Sequence, residues 1–441
     1  MPLKPSKYNF FYRTGSGGAV LFNSSSGAAL AMDRPATGAV VALLQQPERF
    51  DLDGSNFLRV RELLASRAFL VPEDLDETDV VRKRHKARQA ENRGLALTVA
   101  VTKACNFRCV YCYQDHPEDQ MNKATAETLL RFAAARLSQG TALYVTWFGG
   151  EPLLNMDIIE FLGARLRELC QARNCAYDAF MITNGYRLTP PMLERLLRLG
   201  ISDFQITLDG DQKDHDRQRP LANGHGTYGI VMRNLVAAAA KASSINVRIN
   251  LTRRNVDGAA ALVERLRELQ KAAPAVSISL GRVDQCSAHC GLGPDDLLEG
   301  AEFSHWEETL LGPNAAGEPA ALPIPFDTVC VAERLNTYVV GPGGDLYKCW
   351  NSLGRPEDLI GTLDGSVCEE ASAWMRFEAS DDDQCGTCKY LPVCQGGCPD
   401  TQIRSDRQTK DCTKLRYTLK RRLIDWAGTK AERAKPERRF C

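Results

Sequence analysis

The sequence predicts an α/β fold, a partial (β/α)6 barrel of TIM-like kind, and three observations predict it. Apolar runs of strand length recur at 97–101, 143–148, 179–182, 204–208, 245–251 and 276–280. Amphipathic stretches with helical spacing follow them at 124–137, 158–170, 191–199, 228–241 and 259–271. The chain of 441 residues leaves room for further domains on both sides. Buried strands alternating with helices build a parallel sheet. Six such strands favour a partial barrel, whose site is expected at the C-terminal strand ends.

The flanks read differently. Before the barrel, 8–12 and 19–22 are short strand patterns around the turn residues Gly15, Ser16, Gly17 and Gly18. Helical patterns follow at 37–44 and 56–67, then a closing strand at 69–71. The basic run Arg82, Lys83, Arg84, His85, Lys86 and Arg88 reads as a solvated helical linker or as a docking surface for an acidic peptide. After Cys286 the periodicity fades into a stretch rich in Cys, Gly, Pro and Asp, a composition that needs staples. A last helical pattern runs through Leu415, Leu419, Leu423 and Trp426.

Composition excludes several classes. The formal net charge is zero, so nothing global points to nucleic acid or an anionic membrane. No apolar run approaches the roughly 18 residues that span a bilayer. The first eight residues lack an apolar core and are not a signal peptide. A cytoplasmic protein is expected, with no nucleic acid and no membrane among its partners.

Sixteen cysteines are many for such a chain, and they cluster. A reducing compartment disfavours disulfides, and fixed short spacings suit metal ligation. Cys105, Cys109 and Cys112 have the spacing CxxxCxxC directly after the first barrel strand. Three thiolates on one loop can hold a cubane cluster and leave its fourth iron open. Structural zinc would want a fourth ligand, and none is nearby in sequence.

This loop, with the aromatic Tyr111 before its last cysteine, resembles the signature of the radical S-adenosylmethionine (SAM) superfamily. The resemblance implies a [4Fe-4S] cluster whose open iron chelates SAM and cleaves it to a 5′-deoxyadenosyl radical. Further matches fall at strand ends. Gly149, Gly150, Glu151 and Pro152 resemble the family motif for the SAM amino group. The string is weak alone and strong after a strand, where Gly allows close backbone approach and Glu151 can accept from an ammonium. Thr183 with Asn184, and Thr207 with Asp209, resemble segments near the SAM ribose and carboxylate. Arg219 and Asn250 sit where related enzymes hold polar contacts to SAM; for Asn250 a strand-end hydrogen bond is the plainer alternative.

The later cysteines, Cys330, Cys349, Cys385, Cys388, Cys394, Cys398 and Cys412, resemble a SPASM domain with two auxiliary iron–sulfur clusters. The resemblance assigns Cys385, Cys388, Cys394 and Cys412 to one cluster and Cys330, Cys349 and Cys398 to the other. The second set is one ligand short, which leaves an open iron or completion by Cys286 or Cys290. Zinc is the runner-up metal. Residues 8–78 resemble the front domain of maturases of ribosomally made peptides, a winged-helix-like fold that holds a leader, often by strand addition.

The implied layout is a leader-recognition domain over 1–80, a linker over 81–94 and the barrel over 95–285. A bridging region covers 286–329, a SPASM domain 330–412, and a helix with tail 413–441. The expected function is a maturase that cross-links a precursor peptide through a thioether, C–C or ether bond, reduced by a flavodoxin or ferredoxin. The alternatives are sulfatase-maturase-like oxidation of a protein side chain, or a zinc-stapled peptide-binding protein. Against the first stands Trp350, where sulfatase maturases carry an Asp base after the cysteine matching Cys349. No catalytic base is identified.

Overall fold

A computed structural model describes residues 2–15, 17–47, 55–91, 94–284, 290–312, 322–325, 329–404 and 412–433. The chain forms two compact units. One gathers 1–90, 312–330 and 377–441; the other gathers 91–311 and 331–376.

In the first unit, β1 (Leu3–Pro5) pairs antiparallel with β5 (Leu70–Pro72). Strands β2 (Asn9–Arg13), β3 (Ala19–Asn23) and β4 (Ala29–Met32) form an antiparallel sheet in that order. Helix α1 (Arg34–Gln45) starts at Asp33, whose side chain accepts from the Ala36 N–H, and α2 (Ser55–Ser66) follows. Leu21, Val40, Leu43, Leu64 and Phe69 make their common core.

The basic run is a helix as expected, α3 (Glu77–Gln89), with Lys83, Arg84 and Lys86 exposed to solvent, but its other face is covered. Its Val81, His85 and Gln89 are buried, and Arg82 pairs with Asp381 at 3.1 Å. That face carries residues four apart, but only one is aliphatic, so no apolar stripe advertises it.

The second unit holds the barrel strands β6 (Leu95–Ala100), β7 (Ala142–Phe148), β8 (Ala176–Thr183), β9 (Asp203–Thr207), β10 (Ser244–Leu251) and β11 (Val276–Arg282). Each is hydrogen-bonded in parallel to the next. The connecting helices are α4 (Lys123–Arg136), α5 (Met156–Ala172), α6 (Pro190–Arg198), α7 (Gln212–Gln218), α8 (Tyr228–Ala239) and α9 (Val256–Ala272), with α10 (Gly300–Leu311) after the last strand. Every apolar run in the barrel is a strand, and each expected barrel helix is present. Leu97, Trp147, Phe204, Val247 and Leu266 are among the buried core. In β10 burial alternates, with Ile245, Val247 and Ile249 fully buried and Asn246, Arg248 and Asn250 on the opposite, half-open face.

The sheet does not end at β6. Strand β12 (Thr337–Val340) lies parallel beside β6, and β13 (Asp345–Tyr347) and β14 (Gly361–Thr362) extend it antiparallel. These strands have two to four residues, too few for alternation to show in the sequence. A turn of helix, α11 (Ala373–Arg376), closes this unit.

The cysteine-rich end returns to the first unit as the short helices α12 (Asp383–Gly386), α13 (Leu391–Cys394) and α14 (Pro399–Arg404), then the long α15 (Leu415–Arg433). Leu419 and Leu423 of α15 share a core with Phe10, Val20 and Phe22. Tyr8, Val81, Ala379 and Leu391 form another. Among the described residues no helix is long and apolar enough to cross a membrane.

Candidate radical SAM site and four-cysteine cavity

The three-cysteine loop leaves the C-terminal end of β6 and is fastened along its length. Phe107 is buried and meets the Tyr186 ring edge-on, with centroids 5.8 Å apart. The Arg108 N–H donates to Pro220 O at 2.8 Å, the Val110 N–H to Gln218 O at 2.9 Å, and the Ala222 N–H to Asn106 O at 2.9 Å. Residues 218–222, from the last residue of α7 onward, therefore act as a backbone template for the cysteines.

Gly149 and Gly150 fix the lead-in. A Cβ on Gly149 would lie 2.1 Å from Thr102 O, and its φ of +137° is itself a glycine conformation. A Cβ on Gly150 would lie 2.3 Å from both Lys103 O and Ala104 O. Their close approach is thus to the segment between β6 and Cys105. Pro152 opens the 3-10 turn that follows. Glu151 is wholly buried and accepts from the Thr183 hydroxyl at 2.7 Å, the Asn184 N–H at 2.8 Å and the Leu153 N–H at 3.2 Å. Burial pushes its carboxyl up against those bonds. Its oxygens tie the β7 and β8 loops together.

Asn184 reaches the cysteine loop from the same place. Its amide donates to Asn106 Oδ1 at 2.9 Å and lies 4.0 Å from Cys105 Sγ.

Tyr111 stands at the centre of a second buried network. Its hydroxyl donates to Asp209 and receives from Arg219 and, at 3.0 Å, from Asn250 Nδ2. The Asn250 N–H donates to Asp209 Oδ1 at 2.8 Å, and Arg219 lies 3.7 Å from the Asp209 carboxylate. Asn250 thus makes the strand-end bond and also reaches Tyr111. Thr207, at the end of β9, is buried and paired in register with Arg248.

Two residues that sequence reading missed hold this network. His215 contacts the Asp209 N–H through Nδ1 at 3.2 Å and Thr227 Oγ1 through Nε2 at 3.0 Å, and Thr227 donates to Arg219 O at 2.8 Å. Asn255 donates to Asp209 O at 3.0 Å and Asn250 O at 2.9 Å. Their signal was slight: a lone His and a lone Asn usually satisfy backbone groups, as they do here.

Burial pushes the Cys105 thiol up to about 12, with the Glu151 charge adding to it. Burial likewise pushes Cys109 up to about 11 against the pull of Arg219, and Cys112 is raised for the same first reason. Three such thiols are protonated at neutral pH, and a bound cation would displace the protons. Among the described residues no three His, Cys, Asp or Glu converge tightly enough for a single metal ion. An iron–sulfur cluster does not ask for that convergence, because each thiolate binds its own iron. The donor set fits a cluster held by three cysteines, with SAM supplying the remaining ligands.

In the first unit, Cys385, Cys388, Cys394 and Cys412 line one cavity together with Tyr390, Thr413 and Arg416. Cys330 and Cys398 are exposed residues of the same unit, whereas Cys349 belongs to the barrel unit. Cys290 is buried with Val283 and Leu292 against Val110 and Tyr111 of the cysteine loop. Cys286 lies outside the described residues.

The comparisons with known proteins fall on this cysteine loop and the parallel strands beneath it. Residues 99–266 match the Radical SAM superfamily, and the chain carries a radical SAM domain there, a domain that uses SAM and a [4Fe-4S] cluster. The chain is similar to mycofactocin maturase MftC of Mycolicibacterium smegmatis, 25% identical over 330 residues that cover 69% of this chain and 78% of that one. It is similar to the serine-type anaerobic sulfatase-maturating enzyme of Klebsiella aerogenes, 26% identical with 67% and 77% covered. Streptococcus suis SuiB shares its fold, with a TM-score of 0.53 at 15% identity, covering 93% of this chain and 98% of SuiB. SuiB has also been solved bound to its precursor peptide SuiA.

Proposed function

We propose that this chain is a maturase that generates a 5′-deoxyadenosyl radical and cross-links a ribosomally made precursor peptide. The observation that carries the reading is the four-cysteine cavity built into the same unit as the N-terminal sheet, a pairing that a radical SAM barrel alone does not need. MftC, by its name a maturase, and SuiB with its bound SuiA support it.

Cys105, Cys109 and Cys112 would hold the radical SAM cluster. SAM bound there supplies reductive C–S cleavage and the radical that takes a substrate hydrogen. The chain's own residues orient and enclose. Glu151 and Asn184 fix the rim beside Cys105. Tyr111, Asp209, Arg219 and Asn250 present donors and acceptors suited to the polar groups of SAM. Cys385, Cys388, Cys394 and Cys412 would hold one auxiliary cluster, and Cys330, Cys349 and Cys398 would contribute to another. Among the described residues no further strand pairs with the outer sides of β2 and β4, and a leader strand could add there. A flavodoxin or ferredoxin would supply the electron.

The sulfatase-maturase alternative needs a base after Cys349. Trp350 stands there, 46% exposed and stacked on Phe148 with centroids 6.0 Å apart. An indole cannot take a proton at neutral pH.

The test is mass spectrometry of a candidate precursor co-expressed with this chain. Loss of a pair of hydrogens, mapped to one linkage, supports the reading. An unmodified precursor, with a serine or cysteine of a protein target oxidised to an aldehyde instead, overturns it.

A further inference from the structure

The cavity of Cys385, Cys388, Cys394 and Cys412 is furnished with donors. Nη1 of Arg416 donates to Cys412 Sγ at 3.1 Å. Among the described residues no carboxylate pairs with that guanidinium. Thr413 brings a hydroxyl and a backbone N–H to the same cavity. Both residues line the cavity; Arg416 lies in the first turn of α15 and Thr413 just before it, where helix N–H groups favour negative charge.

We propose that Arg416, assisted by Thr413, raises the reduction potential of an iron–sulfur cluster held in this cavity and so poises it to accept an electron. The proposal rests on the reading of the cavity as a cluster site. Reduction adds one electron, and thus one negative charge, to the irons, sulfides and thiolates together. A donor on a ligand sulfur stabilises the more negative state more than the oxidised one, so the potential rises. A charged donor does this more strongly than a neutral one. Arg416 is exposed, so solvent weakens the longer-range part of its effect, and the direct N–H···S bond is what persists.

The three-cysteine loop is furnished differently. Among the described residues the donors to Cys105 Sγ are neutral, the Phe107 N–H at 3.4 Å and the Asn184 amide at 4.0 Å. Of the nearby cations, Arg219 is balanced by Asp209 at 3.7 Å, and Arg108 donates to the carbonyls of Cys105 and Phe107 at 2.8 Å and to no thiol among the described residues. One thiolate set is left for a cluster that gives an electron away, and the other is arranged for one that takes it.

The experiment uses the full-length protein, reconstituted anaerobically, reduced stepwise with dithionite and followed by electron paramagnetic resonance. Arg416→Met keeps the aliphatic stem, and Arg416→Lys keeps the charge. The expected result is a more negative midpoint for one cluster in Arg416→Met, an intermediate value in Arg416→Lys, and unchanged midpoints for the rest. Should Arg416→Met lose iron, Thr413→Val carries the same prediction with a smaller shift. An unchanged midpoint at full iron content overturns the tuning and leaves the cluster reading standing. Cys385→Ala with Cys388→Ala tests that reading separately: loss of one cluster's iron supports it, and undiminished iron removes both.

Discussion

The Asn184 backbone N–H donates to Glu151 at 2.8 Å, across 33 residues of sequence, while the Thr183 hydroxyl takes the other carboxylate oxygen. One buried side chain therefore sets the spacing between two loops of the candidate site. Glu151→Gln would turn one accepting oxygen into an N–H facing another donor. An unsatisfied buried pair of this kind costs about 1–3 kcal/mol. The variant should melt earlier and bind SAM more weakly, read by thermal unfolding and equilibrium dialysis. Wild-type values in both would show that the tie is dispensable.

Replacing Cys105, Cys109 and Cys112 with Ala together should abolish SAM cleavage while iron at the C-terminal cysteines remains. Chromatography for 5′-deoxyadenosine, with iron assay on the same sample, decides it. Product formation without these three thiols would move the radical chemistry elsewhere.

Gly149→Ala should be far costlier than Gly140→Ala. Both have positive φ, a strain of about 1–2 kcal/mol for a side chain. Gly140 has nothing within 4 Å, whereas Gly149 faces Thr102 O at 2.1 Å, so overpacking adds roughly 1–3 kcal/mol or more. Melting temperatures of the two variants, and the iron retained at the loop, make the comparison.

His215 gives a pH signature. Burial, then the Arg219 charge, hold its imidazole well below its usual pKa, so the folded state keeps it neutral. Below about pH 6.5 the unfolded chain binds a proton that the folded chain refuses, and stability falls as pH falls. The slope from this one group reaches about 1.4 kcal/mol per pH unit. Above that pH it vanishes. Denaturant titrations between pH 7 and 5 should show a steeper decline for wild type than for His215→Gln, and parallel curves would remove the assignment.

Deleting residues 1–80 should disturb the C-terminal cysteines. Phe10, Val20 and Phe22 share a core with Leu419 and Leu423, and Tyr8 shares one with Leu391. The truncated chain is expected to hold less iron at its C-terminal cysteines. Full iron content after truncation would show that this packing is not needed for the cavity.

Much of this was legible along the chain, and the reasons are local. The six barrel strands and their helices announced themselves because apolar residues repeat within a few positions. The motif cysteines announced themselves by spacing. The strands β12, β13 and β14 did not, being too short to carry a period. The buried face of α3 did not, because His85 and Gln89 look solvent-facing in a sequence.

The amino-acid order by itself determined the βα repeat, the CxxxCxxC loop at a strand end and the later grouping of cysteines, since each is written within a few consecutive residues. Only the tertiary structure decided that residues 218–222 template that loop and that Glu151 faces inward to Thr183 and Asn184. It also decided that Tyr111 meets Asp209, 98 residues away, and Asn250, 139 residues away. Such partners are chosen by how strands and helices pack, because only packing brings distant polar groups together out of water, where each must find another to bond.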